Sequence, residues 1–254
     1  MNKKRAIITG ATSGIGRAIS LKLASLGYDI VITGRRVDRL KELKSILEKE
    51  YNCQIIALNF DIRNFDECKK SLATLPAEFL AADLLVNNAG LAAGLEHIYE
   101  GDLSDWNAMI DTNIKGVLHI TRLISPHMIE RCKGHIINLG SIAGIQTYEN
   151  GGVYCASKHA LHALSQSMRI DMLKYGIKVT EIRPGMVETE FSLVRFHGDA
   201  DRANGVYKGV TPLSGEDIAS VVEYVVTLPD HVNINDIEIM PKAQANAFYT
   251  HRKQ

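Results

Sequence analysis

Cysteine is scarce and scattered: Cys53, Cys68, Cys132 and Cys155 form no Cys-x-x-Cys pair, which argues against a zinc site and a disulfide framework and fits a reducing compartment. An excess of one charge is missing too. Lys plus Arg equals Asp plus Glu at 29 each, so no net field recruits nucleic acid or an anionic membrane, and a small-molecule partner is expected. No apolar run approaches the ~20 residues that span a bilayer. The run Ala6–Ile8 that follows the basic start Met-Asn-Lys-Lys-Arg is too short for a signal peptide, so the expected location is the cytoplasm. Repeats, low-complexity tracts and linker-like compositions are also lacking, which leaves residues 1–254 as one expected domain.

What is present is an alternation. Short β-branched runs (Ala6–Ile8, Ile30–Thr33, Gln54–Phe60) alternate with amphipathic stretches (Ile15–Leu26, Val37–Glu50), the opening of a βαβαβ unit. The runs are apolar almost throughout, as parallel strands covered on both faces require. Gly27 sits where a helix C-cap glycine belongs. The rhythm continues with strands at Leu84–Val86, His135–Leu139, Ile177–Ile182 and Ile237–Met240, and helices over Asp105–Arg131, Val153–Tyr175 and Glu216–Leu228. The pattern predicts an α/β, Rossmann-like, doubly wound parallel sheet of about seven strands with helices on both faces. Only residues 186–215 break the period, and a stretch of that length is read as a substrate lid.

Two places carry chemistry. After the first strand come Gly10, Ser13, Gly14, Ile15 and Gly16, a glycine-rich turn into a helix that lets backbone N–H groups approach a pyrophosphate. The spacing is Gly-x-x-x-Gly-x-Gly rather than the commoner dinucleotide fingerprint. Where a carboxylate would grip an NAD ribose, the second strand ends in Gly34-Arg35-Arg36, and arginine forks suit a phosphate. NADP is therefore expected over NAD; the plainer reading is two solvated charges opening the next helix. The second place is Tyr154 and Lys158, four apart on a helix and so on one face. A nearby ammonium favours phenolate, which predicts a Tyr154 pKa drawn down toward the working range, as proton donor or acceptor. Ser141, just past the fifth strand, is placed to orient a carbonyl oxygen.

These residues, with Asn87-Asn88-Ala89-Gly90, Asn113 and Pro184-Gly185, resemble in order the motif set of the short-chain dehydrogenase/reductase family, over essentially the whole chain. The resemblance implies that Asp61 and Ile62 hold the adenine, Asn88 lies against the cofactor, and Asn113 keeps a water relaying protons to Lys158. It also implies that Lys158 holds the nicotinamide ribose, and that Pro184, Gly185, Val187 and Thr189 border the nicotinamide end, with no metal. Within the family, Phe191–Gly198 and Thr227–Gln244 are similar to NADP-dependent 3-hydroxy acid dehydrogenases acting on serine and allo-threonine, which implies a homotetramer and a β-hydroxy acid or malonic semialdehyde substrate. Arg183 departs from that pattern, standing where an acidic residue is expected.

A hydroxy acid needs a cation for its carboxylate. Arg195 on the lid is the first candidate by location and Arg183 the second, although each alone reads more simply as a surface or structural arginine. His159 and His162, one turn apart, read as helix surface or subunit interface, and Cys155 as a packing thiol. The tail from Ala243 to Gln254 is expected to pack on a neighbouring subunit. Two other functions remain open: a reductase of 3-oxoacyl thioesters or ketones, and an NADP-binding sensor without turnover.

Overall fold

The computed structural model describes residues 3–253; Met1, Asn2 and Gln254, the ends of the basic start and of the tail, lie outside them. Its centre is one parallel seven-stranded sheet in the order β3-β2-β1-β4-β5-β6-β7. The strands are β1 Arg5–Ile8, β2 Asp29–Gly34, β3 Ile55–Asn59, β4 Leu84–Asn87, β5 Gly134–Leu139, β6 Ile177–Pro184 and β7 Asp236–Ile239. The chain starts mid-sheet, builds outward to β3, then crosses back to lay β4 against the other side of β1. That reversal opens a crevice at the carboxyl ends of β1 and β4, the place where doubly wound sheets bind ligands.

Successive side chains of a strand feed opposite layers. Ile8, Ile30, Ile32 and Val86 pack under helices α1 (Gly14–Ser25), α2 (Val37–Glu50) and α10 (Gly215–Thr227). Ile7, Val31, Leu85 and Ile136 pack under α3 (Phe65–Leu72), α6 (Val117–Glu130) and α7 (Gly152–Met172). Both layers are closed, which is why these strands carry no polar alternation. Each such Ile or Leu contributes about 1.5–3 kcal/mol of transfer free energy, and truncating Leu85 to Ala would cost about 2–5 kcal/mol.

Local signals place the ends. Gly27 follows α1 at φ +81°, the left-handed conformation that closes a helix. Ser214 and Asp217 form a reciprocal capping box at α10.

Three elements differ from expectation. The single helix over Asp105–Arg131 is α5 (Leu103–Ile110), a π-helical turn (Asp111–Gly116) and α6. The side chain of Asn113 is gripped from outside the helix at that turn, so the local register widens. Helices α3 and α4 (Ala77–Leu80) have only eight and four residues, too short to show a period. Residues 186–215 are ordered: they hold α8 (Phe191–Arg195), α9 (Ala200–Gly205) and a bridge from Val187 to Leu213. The tail folds back on this segment of its own chain, with Lys253 N–H bonded to Gly209 and Arg252 to the carbonyls of Val206 and Lys208. Phe248 and Tyr249 face outward.

Candidate active site

A cleft of about 330 Å³ opens along the carboxyl ends of the strands. At one end β1 turns through Gly10 at φ +66°, where a Cβ would stand 2.8 Å from the Cα of Ala89. Gly16, in the first turn of α1, comes so near the Gly10 carbonyl and the Asn88 amide that a Cβ would stand 2.4 Å from each. The loop is thus pressed against the helix start, and α1 has no side-chain cap over its N-terminus. Asn88 shapes the turn by donating from Nδ2 to the Thr9 and Gly10 carbonyls at 2.8 and 3.1 Å, and Thr9 Oγ1 accepts from the Asn88 and Ala89 amides. Exposed N–H groups, a helix N-terminus and close-packed glycines fit a dinucleotide pyrophosphate.

The expected cofactor residues converge on this cleft. Gly10, Ser13, Gly14, Ile15 and Gly16 form its floor, Arg35, Arg36, Asp61 and Ile62 its outer end, and Asn88, Pro184, Gly185, Val187 and Thr189 its inner wall. Arg36 is oriented by Ser13 Oγ and Thr12 Oγ1, at 2.7 and 2.9 Å from Nη2. Arg35 is more exposed, 3.8 Å from the Asp61 carboxylate, which Arg63 also grips. Gln244 was missed by sequence reasoning: its Oε1 accepts from Met186 N–H at 2.8 Å and fixes the Pro184–Met186 turn.

The reacting end is built by β5 and α7. Ser141 follows β5 and caps a short 3-10 turn, with Oγ accepting from the Ala143 amide at 3.1 Å. Tyr154 and Lys158 lie on successive turns of α7, both buried, and Lys158 Nζ donates to the Leu139 carbonyl at 2.8 Å. Its ammonium is 5.9 Å from the Tyr154 ring centre. The Arg195 guanidinium also lies 5.6 Å from the centre of that ring, and the Phe191 ring packs against it edge-to-face with the two centres 5.7 Å apart. Asn113 sits behind: its side chain bonds both backbone groups of Leu91 and donates to Ser157 Oγ at 2.9 Å. Both Nδ2 protons of that side chain are committed to positioning, which leaves carbonyl acceptors rather than a donor for the expected water relay.

Electrostatics corrects one expectation. The Tyr154 phenol is pushed up, not down, because burial outweighs everything else, and the Ser141 hydroxyl and Arg195 charge only partly oppose it. Lys158 is itself lowered to about 8 by burial, against the pull of the Glu181 carboxylate. A buried ammonium and a buried phenol each favour the neutral form, and any positive charge added beside Tyr154 opposes its upward shift.

This geometry meets its counterpart in known proteins: the pattern of the short chain dehydrogenases matches residues 4–198. The chain belongs to the short-chain dehydrogenase family. A probable NADP-dependent dehydrogenase of Haemophilus influenzae is 48% identical over 248 residues, 97% of each chain. The NADP-dependent 3-hydroxy acid dehydrogenase YdfG of Escherichia coli K12 is 44% identical over 242 residues, 95% of this chain and 96% of that one. Among solved structures, the closed form of a serine dehydrogenase complexed with NADP+ superposes with a TM-score of 0.91 at 44% identity, covering 98% of this chain and 100% of that one. This short-chain dehydrogenase is accordingly an oxidoreductase.

The enzyme's arginines divide. Arg195 reaches the reacting end, where it also lies 5.5 Å from the ring of Tyr148, a residue sequence reasoning missed. Arg183 does not: it is buried on the α7 side of β6, with Nη1 3.2 Å from Asp236 and 3.8 Å from Glu181. His162 belongs to that group and is no bland surface residue, its Nδ1 lying 2.6 Å from Glu181 Oε2. The ligand-type atoms of His162, Glu181 and Asp236 lie within 4.8 Å of one another. Arg183 already supplies the cation there, 3.2 Å from both His162 Nδ1 and Asp236. Cys155 is fully buried, as a packing thiol. No helix among the described residues is long and apolar enough to cross a membrane.

Proposed function

We propose that this enzyme interconverts a short 3-hydroxy acid, such as L-serine, L-allo-threonine or 3-hydroxypropionate, and the corresponding 3-oxo acid, a semialdehyde from the primary alcohols and a ketone from L-allo-threonine. It uses NADP. The observation that carries the substrate class is the Arg195 guanidinium beside Tyr154, partly buried, with only the Gly94 carbonyl bonded to its Nε and no carboxylate in ion-pair reach among the described residues. A cation left without an anion next to a proton-transfer group suits a substrate whose carboxylate lies one carbon beyond the reacting carbinol. The serine and 3-hydroxy acid dehydrogenases it resembles support the same reading.

Bound NADP supplies the hydride acceptor and a positive nicotinamide ring beside Tyr154. Gly14–Gly16 and Asn88 would hold its pyrophosphate side, and Arg36, with Arg35, the 2′-phosphate. Val187 and Thr189 would border the carboxamide, and Lys158 the nicotinamide ribose. Tyr154 takes the hydroxyl proton in oxidation and returns it in reduction, while Ser141 holds the same oxygen. Lys158 keeps its charge close to the phenol and stabilises the phenolate as it forms. Phe191 and Tyr148 exclude water from the reacting end. Residues 186–215 act as the lid of a single catalytic domain.

Assembly as a homotetramer in the cytoplasm completes the reading; exposed Ile110, Leu118, Ile170 and Leu173 give such an assembly apolar surface to bury. The test is a substrate panel with NADP and NAD in parallel. Preference for 3-hydroxypropionate over 1-propanol and over 3-oxoacyl thioesters, with NADP favoured, supports the reading; preference for the thioester or the neutral alcohol overturns it.

A further inference from the structure

Glu190 stands immediately before α8 in the lining of the cleft, and its carboxylate reaches the start of α2. There it meets two arginines. Arg36 Nη1 donates to Oε2 at 2.8 Å, and Arg39 Nη1 lies 2.6 and 2.7 Å from the two oxygens. Arg36 is otherwise satisfied by Ser13 and Thr12 on the cofactor loop, so it is fixed in place and presents one free edge, the edge Glu190 occupies. Arg39 takes no other acceptor among the described residues. The paired arginines hold the Glu190 carboxyl below the usual carboxylate range, so it is anionic at neutral pH.

We propose that Glu190 is a specificity-determining residue for the cofactor: held by Arg39, it competes with the cofactor's 2′-phosphate for Arg36 and sets how tightly that phosphate is taken. The proposal rests on the reading of Arg36 as the 2′-phosphate partner. When the phosphate takes the Nη1 edge of Arg36, Glu190 keeps both oxygens on Arg39 and stays nearby as a like charge. Arg39 thus acts indirectly, drawing Glu190 away from Arg36. NAD carries a hydroxyl at that position and gains or loses little from either residue. Because Arg36, Arg39 and Glu190 are each about two-fifths exposed, the effect is that of a screened pair, roughly three- to fivefold in affinity.

Dissociation constants for NADP+ and NAD+, measured by titration calorimetry on the wild type, Glu190→Gln, Arg39→Ala, their double variant and Arg36→Ala, test this without any substrate. Glu190→Gln should bind NADP+ about three- to fivefold more tightly, with NAD+ unchanged. Arg39→Ala should weaken NADP+ by a similar factor, and that penalty should vanish in the Glu190→Gln background. A Glu190→Gln variant that binds NADP+ no better than wild type overturns the proposal. So does an Arg39 penalty that persists in the double variant, because Arg39 then contacts the phosphate itself. Arg36→Ala separates the two layers: weakened NADP+ with a silent Glu190→Gln overturns the Glu190 proposal alone, whereas unchanged NADP+ overturns the Arg36 reading and the proposal with it.

Discussion

Replacing Arg195 by Ala removes two things at once, and they read out separately. The first is the partner for the substrate carboxylate. A hydrogen-bonded charge of this kind contributes about 1.5–3 kcal/mol, so KM for 3-hydroxypropionate should rise roughly tenfold to 150-fold. KM for 1,3-propanediol, which keeps the reacting carbinol and lacks the carboxylate, should change little. The second is a positive charge that opposes the upward push of burial on the Tyr154 phenol. Its loss moves the rise of kcat for oxidation to higher pH, for both substrates alike. Steady-state kinetics across pH on the two alcohols therefore separates carboxylate recognition from tuning of Tyr154. An equal KM increase for acid and diol would refute the recognition argument, and an unmoved pH profile would refute the electrostatic one.

Other consequences follow from burial. Lys158 is lowered to about 8, whereas an unfolded lysine keeps its proton to about pH 10.4, so the Lys158 contribution to stability becomes more favourable as pH rises across that window. Lys158→Met cannot follow, and thermal melts should show the difference between the two shifting in favour of wild type from about pH 8 to pH 10. His135 is held down to about 3 by burial, with the Lys178 charge second, and Nε2 is 2.9 Å from Thr180 Oγ1. The unfolded chain takes up that proton from about pH 6.5 downward, so stability is lost as the pH falls; His135→Leu should flatten the urea-unfolding dependence by up to about 1.4 kcal/mol per pH unit. Arg252→Ala frees the carbonyls of Val206 and Lys208, which should speed limited proteolysis within residues 196–210 and raise KM for the hydroxy acid while NADPH affinity stays.

The sheet was legible because its inner strands are apolar runs covered on both faces, alternating with amphipathic helices, and glycines mark the turn into α1. The floor of the cofactor cleft and the pairing of Tyr154 with Lys158 follow from spacing alone, since four residues on a helix fix a shared face. The misses have a common cause. The break at Asp111–Gly116 comes from a side chain seized by Leu91 and Ser157, residues 22 and 44 positions away, which no local pattern records. Arg183 and Arg195 look alike in sequence; the strand that buries one beside Asp236 and the lid that lays the other beside Tyr154 decide their roles. Tyr148, Gln244 and Glu190 likewise become functional only when distant segments meet. The Tyr154 pKa was misjudged because proximity of a charge is visible in sequence while depth of burial is not.

Purified protein incubated with NADP+ and L-serine, L-allo-threonine or 3-hydroxypropionate should form NADPH, and Tyr154→Phe should reduce that turnover by at least about 100-fold while binding NADPH as the wild type does. Silence on every hydroxy acid with NADPH binding intact, or undiminished turnover in Tyr154→Phe, would contradict the assignment.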